Sequence, residues 1–347
     1  MKLVTCEVRD TPIPVRFLGA LLSEQVIVDL AVARASLKAK GHAIGSLPSS
    51  MLDFLASGEA ALAVANAVLD HARASIDVDN PELTPVGEWG RLVWPRRALR
   101  LLPAVPRPGK IVHTSINFKA HRAEVIQGFK SKEWKALDWS TFHYRHPTGF
   151  LQAPSATVGA EADIVIPPFT RQLDYELEIA IVIGRRARNV SEEEALDHVA
   201  GFCIFNDISA RDMQASEHVN RVILLGKSFD TSCPLGPWLT TRDEIEDPQN
   251  LRMQLRLNGE LRQDSNTSDM IFGVRKLVSW WSQITLEPGD VVTSGSPPGV
   301  IAGRKKPVWL APGDRVEATI EGLGTLANTV VADDVLAPAT RKTATGH

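Results

Sequence analysis

The sequence has few cysteines, and none of them lies in a paired motif. Only three occur in 347 residues, at Cys6, Cys203 and Cys233. An odd number of widely spaced thiols, without a Cys-x-x-Cys motif, argues against both a disulfide framework and a zinc knuckle. We expect these thiols to be buried or incidental, as in a reducing cytoplasm.

The chain also lacks a large net charge and a long apolar run. Its 38 basic and 41 acidic residues give a formal charge of −3 without a basic block, which disfavours nucleic acid as a partner. No unbroken apolar run approaches the roughly 18 to 20 residues that span a bilayer. The start, MKLVTCEVRDTP, lacks the basic and then apolar organisation of a signal peptide. With 44% hydrophobic residues, we predict a cytoplasmic globular protein without a membrane partner.

Apolar patterning divides the chain into two parts and a tail. Strand-like segments run to about residue 33, and alanine-rich segments with helical spacing follow from Val32 to about Ser75. The Pro-rich segment LLPAVPRPGK at 101–110 is typical of a domain boundary. We predict an α+β domain over 1–105, a mostly β domain over 106–338 and a disordered tail over 339–347.

The segment SEEEALDHVA, residues 191–200, predicts a helix. Ser191 would be its N-cap, and Glu194 three residues later would complete a capping box. The acidic first turn suits the helix dipole, so we expect these glutamates to be structural rather than catalytic.

Carboxylates lead into a buried strand in the segment LDYELEIAIVIG. Asp174, Glu176 and Glu178 are two residues apart, so on a strand they would project from one face. Such a pattern alone is typical of the solvated face of an edge strand. The apolar run from Ile179 to Ile183 argues for an interior position, where an unpaired carboxylate costs several kcal/mol or shifts its pKa.

A second apolar strand, FCIFND, ends at Asp207 and would return beside the first. Three converging carboxylates with open coordination positions indicate a site for a hard cation, which is Mg²⁺, Mn²⁺ or Ca²⁺. We find no cysteine or histidine cluster spaced for zinc or copper.

The motifs DYELEIAIVIG, FNDISARDMQ and GKSFDTSCPLGPW resemble the core of the fumarylacetoacetate hydrolase family. NGELRQDSNTSDMIF, LEPGDVVTSGSPPGV and PGDRVEATIEGLGTLANTV continue the match in the same order, over about residues 100–335. The resemblance implies an α+β, mostly β fold with a mixed β-roll catalytic domain, and a homodimer. It also implies that Glu176, Glu178 and Asp207 bind Mg²⁺ or Mn²⁺, with Ca²⁺ as a substitute in crystals. Asp174 would not bind the ion. It would either support the metal ligands or form a hydrogen bond where the strand begins.

Two further motifs match positions of the family that take part in catalysis. His121 and Glu124 are three residues apart at the start of a helix, and spacing alone favours a surface ion pair. The segment resembles the family's lid motif, an aromatic residue followed by His-x-x-Glu, with Phe118 in the aromatic place. The resemblance implies that this pair takes a proton from water. Lys227, in GKSFD, matches the active-site lysine, which would stabilise an oxyanion.

Substrate contacts follow from the same resemblance. Gln214 would contact substrate oxygens, and the loop Ser294-Gly295-Ser296 resembles the substrate-carboxylate loop, where backbone N–H groups and a hydroxyl bind an anion. Phe118 would also line the substrate site.

One position departs from the family pattern. Gln152 stands where many members have lysine in a Phe-x-Lys motif, which removes a positive charge. The nearby segment 126–149 is longer and more aromatic than usual. Its Arg145, His143 and His146 either replace the missing cation or decorate a surface loop, and the segment itself is a possible lid.

The expected reaction is metal-dependent hydrolysis of a C–C bond in a 1,3-dicarbonyl compound. The substrate would be an acylpyruvate, fumarylacetoacetate or another β-diketone of aromatic catabolism, and the product enolate would be stabilised by the metal and Lys227. The alternatives are decarboxylation, hydration or isomerisation, or a ureidoglycolate-type lyase reaction, since the fold does not choose among them. A non-catalytic metal-binding protein is a remote alternative. No Gly-x-Ser-x-Gly motif surrounds Ser296, which argues against a serine hydrolase.

Overall fold

A computed structural model describes residues 1–76, 86–128 and 145–333, and its architecture is mixed α+β and dominated by sheets. The predicted fold class is thereby confirmed. The strands in these ranges are β1 (Lys2–Val8), β2 (Arg16–Ser23), β3 (Val26–Asp29), β4 (Val93–Pro95), β5 (Leu99–Leu101), β6 (Ile111–Thr114), β7 (Gly149–Gln152), β8 (Thr157–Val158), β9 (Ile164–Ile166), β10 (Leu173–Asp174), β11 (Leu177–Ile183), β12 (Val199–Asn206), β13 (Ser209–Ala210), β14 (Cys233–Thr241), β15 (Arg252–Leu257), β16 (Glu260–Asn266), β17 (Val291–Thr293), β18 (Arg315–Ile320) and β19 (Gly324–Ala332). The α-helices are α1 (Leu30–Ala39), α2 (Met51–Ser75), α3 (Lys119–Gly128), α4 (Arg211–His218) and α5 (Val274–Trp281).

One sheet of 12 strands runs through both predicted domains. Its order is β4-β3-β2-β1-β14-β12-β11-β17-β6-β7, with β5 paired to β1 and β8 paired to β14. The junction is the antiparallel pair of β1 with β14, where Leu3 lies opposite Leu239. The amino-terminal strands therefore extend the sheet that carries the predicted metal ligands. The domain boundary near residue 105 stays a prediction, and it falls within a shared sheet.

The large sheet has a hydrophobic core on each face. A five-stranded sheet, β16-β15-β18-β19-β9, covers one face, and Phe202 and Leu255 belong to the core on that side. Helices α1 and α2 cover part of the other face, where Phe54 and Val182 belong to the second core. Because strand side chains alternate, Ile181 enters the first core while its neighbour Val182 enters the second.

Two helices occupy the region predicted to be helical after the first strands. Asp29 caps α1, accepting hydrogen bonds from two backbone N–H groups, and Ser50 caps α2. Helix α2 bends at Gly58, whose φ is 57°. Within the described part of the chain, the segment Met51–Ala74 is long and apolar enough to cross a membrane by length and composition. Core helices of soluble proteins meet the same criterion, and Leu69 packs into the second core.

The predicted helix over residues 191–200 is wrong. The structure has a short 3₁₀ turn at Ala195–His198, and β12 begins at Val199. Both capping-box hydrogen bonds nevertheless form between Ser191 and Glu194, at 3.3 Å each. No α-helix follows because the next residues pair with β11 and β14, and this tertiary pairing outweighs the local preference.

Two predictions lie outside the described residues. The tail over 339–347 follows the last described residue, Asp333, and most of the segment 126–149, including His143, falls in the gap 129–144.

Candidate active site

The site forms along one end of the large sheet, where five neighbouring strands contribute polar residues. The strands are β12, β11, β17, β6 and β7, adjacent in that order. They contribute, in the same order, Asp207 just after β12, Glu178, Thr293, His113 and Gln152. Glu178 alternates with Ala180 and Val182, which belong to the second core. The face that is apolar further along the strands is therefore polar at this end.

A buried histidine and two buried carboxylates form a cluster. One ligand atom from each of His113, Glu178 and Asp207 lies within 4.8 Å of the others. The Nε2 atom of His113 lies 3.4 Å from Glu178 Oε1 and 3.4 Å from Asp207 Oδ2. Ligand atoms held about 2.0 to 2.2 Å from one ion lie about 3 to 3.5 Å apart. The cluster therefore fits a divalent cation.

Hydrogen bonding supports that fit. Within the described structure Glu178 Oε1 is buried and has no hydrogen-bond partner, while Oε2 accepts the Gly295 N–H at 2.9 Å. An unsatisfied buried acceptor costs about 1 to 3 kcal/mol, and more when it is charged. A cation at this position would satisfy that oxygen.

Glu176, the third predicted ligand, faces the same cavity but is already paired with two cations. Arg211 Nη2 lies 2.9 Å from its Oε1, and the Lys227 ammonium donates both to its Oε2 and to Asp207 Oδ2. Burial alone would raise the pKa of Glu176, yet Arg211 and Lys227 lower it well below its usual value. Its negative charge is therefore compensated by the protein itself.

Glu178 lacks such compensation, and Asp207 shares the single charge of Lys227 with Glu176. Burial, followed by the neighbouring Asp207 charge, raises the pKa of Glu178 well above its usual value. Burial raises the pKa of Asp207 to about 7, although Lys227 acts in the opposite direction. Burial and then Lys227 lower the pKa of His113 to about 3, so its imidazole is neutral near pH 7.

The buried charges of the site do not balance. Among the described residues, four buried carboxylates share two buried cations: the acids are Asp174, Glu176, Glu178 and Asp207, and the bases are Arg211 and Lys227. This leaves an excess of two negative charges. A divalent cation would neutralise them, and without it the acids must bind protons or repel one another.

Asp174 has the contacts of a supporting residue. Its carboxylate accepts the backbone N–H groups of Ile301 at 2.8 Å and Ala302 at 3.1 Å, and Arg211 Nε at 2.9 Å. It lies in β10, which ends before Glu176, so the predicted single face of three acids is interrupted. Arg211 bridges Asp174 and Glu176, and it fixes the orientation of both.

His121 and Glu124 form the predicted pair at the start of α3. His121 Nδ1 lies 3.0 Å from Glu124 Oε2, and His121 Nε2 lies 3.6 Å from Glu176 Oε1. Glu124 is held by the Gly299 N–H, at 3.0 and 3.1 Å from its two oxygens. A carboxylate in this position favours the proton on Nδ1, which leaves Nε2 to accept a proton from the cavity. A Cβ atom at Gly303 would lie 2.1 Å from Glu124 Cγ, so this pairing requires glycine there.

A cavity of about 70 Å³ brings most of the predicted site together. Six predicted residues line it: His121, Glu176, Glu178, Gln214, Lys227 and Ser296. His113, Phe150 and His218 line it as well, and the sequence analysis did not predict a site role for them. Asp207 reaches the same place through its hydrogen bond with Lys227.

Four predicted substrate contacts are placed elsewhere. The Ser294 hydroxyl accepts the Ile179 N–H at 3.1 Å. Gly295, with φ 79°, donates its N–H to Glu178. Both residues therefore hold the strand that carries Glu178 rather than line the cavity. Phe118 is buried in the first core, and Arg145 is exposed. None of these four lines the cavity in the described structure, and their role with substrate stays a prediction.

Gln152, at the position where the resemblance expects lysine, is buried beside the cluster. Its Nε2 donates to Asp207 Oδ1 at 2.7 Å and to the Lys227 carbonyl at 3.1 Å. It thus orients Asp207 without adding a charge. His146 is exposed and stacks on Trp280, with ring centroids 4.7 Å apart, which suits a surface position.

His113 is the residue that sequence reasoning missed. It stands in the strand-like run KIVHTSIN, far from Glu178 and Asp207 in sequence, and a lone histidine in such a run gives no ligand-spacing signal. The parallel pairing of β6 with β17, with Val112 opposite Val292, places His113 beside Thr293. The sequence shows no cysteine or histidine cluster spaced for zinc or copper, and this pairing nevertheless brings one histidine beside the two carboxylates.

Comparison with known proteins gives consistent matches. The family model described as fumarylacetoacetate (FAA) hydrolase C-terminal matches residues 110–331. A mitochondrial oxaloacetate tautomerase of Bos taurus is 39% identical over 287 residues, covering 82% of this chain and 81% of that protein. The oxaloacetate tautomerase YisK of Bacillus subtilis is 34% identical over 318 residues, covering 90% of this chain and 96% of that protein. A solved fumarylacetoacetate hydrolase of Exiguobacterium antarcticum is 30% identical with a TM-score of 0.69, covering 96% of this chain and 99% of its own.

Proposed function

Because the chain belongs to the fumarylacetoacetate hydrolase family, we propose that it is an enzyme that interconverts the keto and enol forms of a small 2-oxo dicarboxylic acid, with oxaloacetate as the substrate. Relatives named oxaloacetate tautomerases in Bos taurus and Bacillus subtilis support this choice. It puts proton transfer at a carbon beside a carbonyl, which is nearest to the isomerisation alternative, ahead of the C–C bond hydrolysis predicted from the sequence.

The observation that carries the proposal is the position of His121 relative to Lys227. Both line one cavity, and each contacts Glu176 from a different side. His121 Nε2 takes a proton from the carbon next to the substrate carbonyl, and Glu124 stabilises the imidazolium that forms. The Lys227 ammonium stabilises the negative charge that develops on the carbonyl oxygen. The His121 imidazolium then gives its proton to that oxygen, directly or through water, which completes the enol and restores the base. The reverse steps return the ketone.

Three of the residues described above would hold the divalent cation, namely His113, Glu178 and Asp207, with Glu176 beside them. When bound, a divalent cation supplies Lewis-acid stabilisation of a carbonyl oxygen that becomes negative. Gln214 and Ser296 line the same cavity and offer an amide and a hydroxyl for substrate carboxylates.

The size of the cavity supports a small substrate. Its volume of about 70 Å³ is well below the roughly 300 to 1,000 Å³ of sites for drug-sized ligands. A dicarboxylic acid of four carbons fits this limit better than a bulky ring-cleavage product does.

Hydrolysis of a C–C bond, as predicted from the sequence, is the second candidate. It is favoured by the 30% identity to the solved fumarylacetoacetate hydrolase of Exiguobacterium antarcticum. The same His121 Nε2 that takes a proton from carbon can take one from water. The predicted homodimer and cytoplasmic location are kept as parts of the proposal, and light scattering tests the first.

The test follows the ultraviolet absorbance of enol-oxaloacetate as it converts to the ketone, with Mn²⁺ or Mg²⁺ present. Acylpyruvate cleavage and oxaloacetate decarboxylation are measured in parallel with the same preparations. We expect the protein to accelerate enol loss well above the buffer rate and to cleave acylpyruvates more slowly. Faster acylpyruvate cleavage would favour the hydrolase, and no acceleration of either reaction would refute both.

A further inference from the structure

We propose that His113 is a nitrogen ligand of the divalent cation, and that it makes the site prefer first-row transition ions such as Mn²⁺ and Co²⁺ over Mg²⁺. The inference deepens the proposed function, because it concerns the cation on which that chemistry rests. It concerns a residue that the three-carboxylate pattern of the sequence does not contain.

The His113 imidazole is buried and directed at two of the carboxylates. It is 4% exposed, its ring stacks on Phe150 with centroids 4.5 Å apart, and its Nε2 points at Glu178 and Asp207. The distances of 3.4 Å from Nε2 to Glu178 and Asp207 exceed the roughly 2.7 to 3.2 Å of a good hydrogen bond. They match the separation of atoms that share one ion.

The tautomer of the His113 ring depends on Thr293. His113 Nδ1 lies 3.0 Å from Thr293 Oγ1, and the Thr293 hydroxyl lies close enough to the Glu178 side chain to act on its carboxylate. A hydroxyl has a single proton. When Glu178 is ionised it only accepts, so a Thr293 hydroxyl that turns its proton toward Glu178 can only accept from His113 Nδ1–H. The proton is then on Nδ1, and Nε2 presents a lone pair to the cluster.

The groups around His113 also suit a cation. With the ring in this form, the lone pair of Nε2 and the oxygens of two carboxylates converge without a proton between them, an arrangement that a cation stabilises. Gln152 adds no charge where the family resemblance expects lysine, so the site contains a neutral imidazole and a neutral amide beside Asp207. An imidazole ligand favours transition ions, whereas oxygen ligands and water suit Mg²⁺ and Ca²⁺.

One competing arrangement has to be distinguished. Gln152 Oε1 is buried without a hydrogen-bond partner in the described structure, and the Gln152 side chain lies close enough to act on the His113 ring. If Nε2 carried the proton and donated it to Gln152 Oε1, His113 would only orient its neighbours. In that arrangement no nitrogen would bind the ion.

The experiment compares metal binding by the full-length protein and two variants, without substrate and without an affinity tag. His113→Gln offers an amide in place of imidazole, and His121→Asn removes the other imidazole that faces a carboxylate of the cavity, at 3.6 Å from Glu176. Dissociation constants for Mn²⁺, Co²⁺ and Mg²⁺ are measured by calorimetry. Pulsed electron paramagnetic resonance of the Mn²⁺ form reports directly whether an imidazole nitrogen is bound. Circular dichroism confirms that each variant is folded.

We expect the wild type and His121→Asn to show the nitrogen signal, and His113→Gln to lack it. His113→Gln should weaken Mn²⁺ and Co²⁺ binding by about tenfold or more, while Mg²⁺ binding changes by less than about threefold. The proposal would be overturned if the wild-type Mn²⁺ form showed no nitrogen coupling. It would also be overturned if His113→Gln lost the same factor of affinity for all three ions. These readouts need no turnover, so an inactive tautomerase assay would refute the proposed function and leave this result intact.

Discussion

Replacement of Glu178 by glutamine should stabilise the metal-free protein and abolish its stabilisation by metal. Glutamine retains an oxygen that can accept the Gly295 N–H, now at 2.9 Å from Glu178 Oε2. Its amide nitrogen takes the place of Oε1, which has no partner and lies 3.4 Å from His113 Nε2. The substitution therefore puts a donor where a buried acceptor is unsatisfied.

The size of the expected gain in stability follows from the unsatisfied Glu178 Oε1. Glu178 lowers the free energy of unfolding of the wild type by about 1 to 3 kcal/mol, whether it stays ionised beside Asp207 or binds a proton. Glutamine avoids this penalty. At about 2.1 cal/mol/K of unfolding entropy per residue, a chain of 347 residues gains roughly 1 to 2 °C in Tm per kcal/mol. We expect the Tm in EDTA at pH 8 to rise by about 1 to 5 °C.

Metal should stabilise the wild type and leave the Tm of Glu178→Gln almost unchanged. At 100 times its Kd, a cation stabilises the wild type by about 2.7 kcal/mol, so its Tm should rise by about 4 °C. Glu178→Gln should gain almost nothing from the same addition. Differential scanning calorimetry with EDTA and with Mn²⁺ measures both effects.

Two matched carboxylate-to-amide changes serve as controls. Glu287 is exposed and paired with Arg186, so Glu287→Gln should leave the Tm nearly unchanged. Glu176→Gln should lower the metal-free Tm by several degrees, because it removes a partner from both Arg211 and Lys227. A metal-free Glu178→Gln that melts below the wild type, or that keeps the full response to Mn²⁺, would refute the reasoning.

The remaining predictions concern the proton-transfer groups and pH. His121→Asn should reduce the rate of enol–keto conversion by about 10²- to 10⁴-fold with little change in Mn²⁺ affinity by calorimetry, and a comparable loss of affinity would contradict its role as a base. Lys227→Met should reduce kcat by about 10²-fold or more in steady-state kinetics, and an unchanged kcat would show that the ammonium does not stabilise the reacting oxygen. Protons compete with metal for Asp207, whose pKa is raised to about 7 in the folded protein, and for Glu178, whose pKa is raised well above its usual value. Apparent metal affinity should therefore rise as the pH rises through about 7. Because the folded pKa of Asp207 is above the ordinary value of 3.8, protonated Asp207 contributes stability to the metal-free protein below about pH 4, and this is lost as the pH rises to about 7. A metal-free Tm that is flat over this range would contradict the assignment.

Much of the site was predictable because its signals are local in sequence. Glu178 precedes a continuous apolar run, Asp207 ends another, and His121 with Glu124 has helical spacing. Lys227 was predicted only through the family resemblance, since a lysine before a strand does not by itself indicate an active site. The match to the family model over residues 110–331 confirms the family, and the mixed, sheet-dominated fold is as predicted.

The rest depended on pairings between distant segments. His113 reaches Glu178 only because β6 and β17 pair in parallel, with Val112 opposite Val292. The predicted capping-box hydrogen bonds between Ser191 and Glu194 form. The predicted α-helix does not, because β12 begins at Val199 and pairs with β11 on one side and β14 on the other. Local preference predicts which hydrogen bonds a segment can form, while neighbouring strands decide which of them extend into regular structure.

The three predicted ligands prove to be unequal, and the reason is electrostatic. Glu176 lies outside the strand ladders, next to Arg211 and Lys227, which compensate its charge. Glu178, two residues later in β11, faces Asp207 and a neutral imidazole. The uncompensated charge of the site therefore lies between Glu178 and Asp207, on the side of His113. A cation held there would share Asp207 in place of Lys227, and the Lys227 ammonium would then be available to a substrate oxygen.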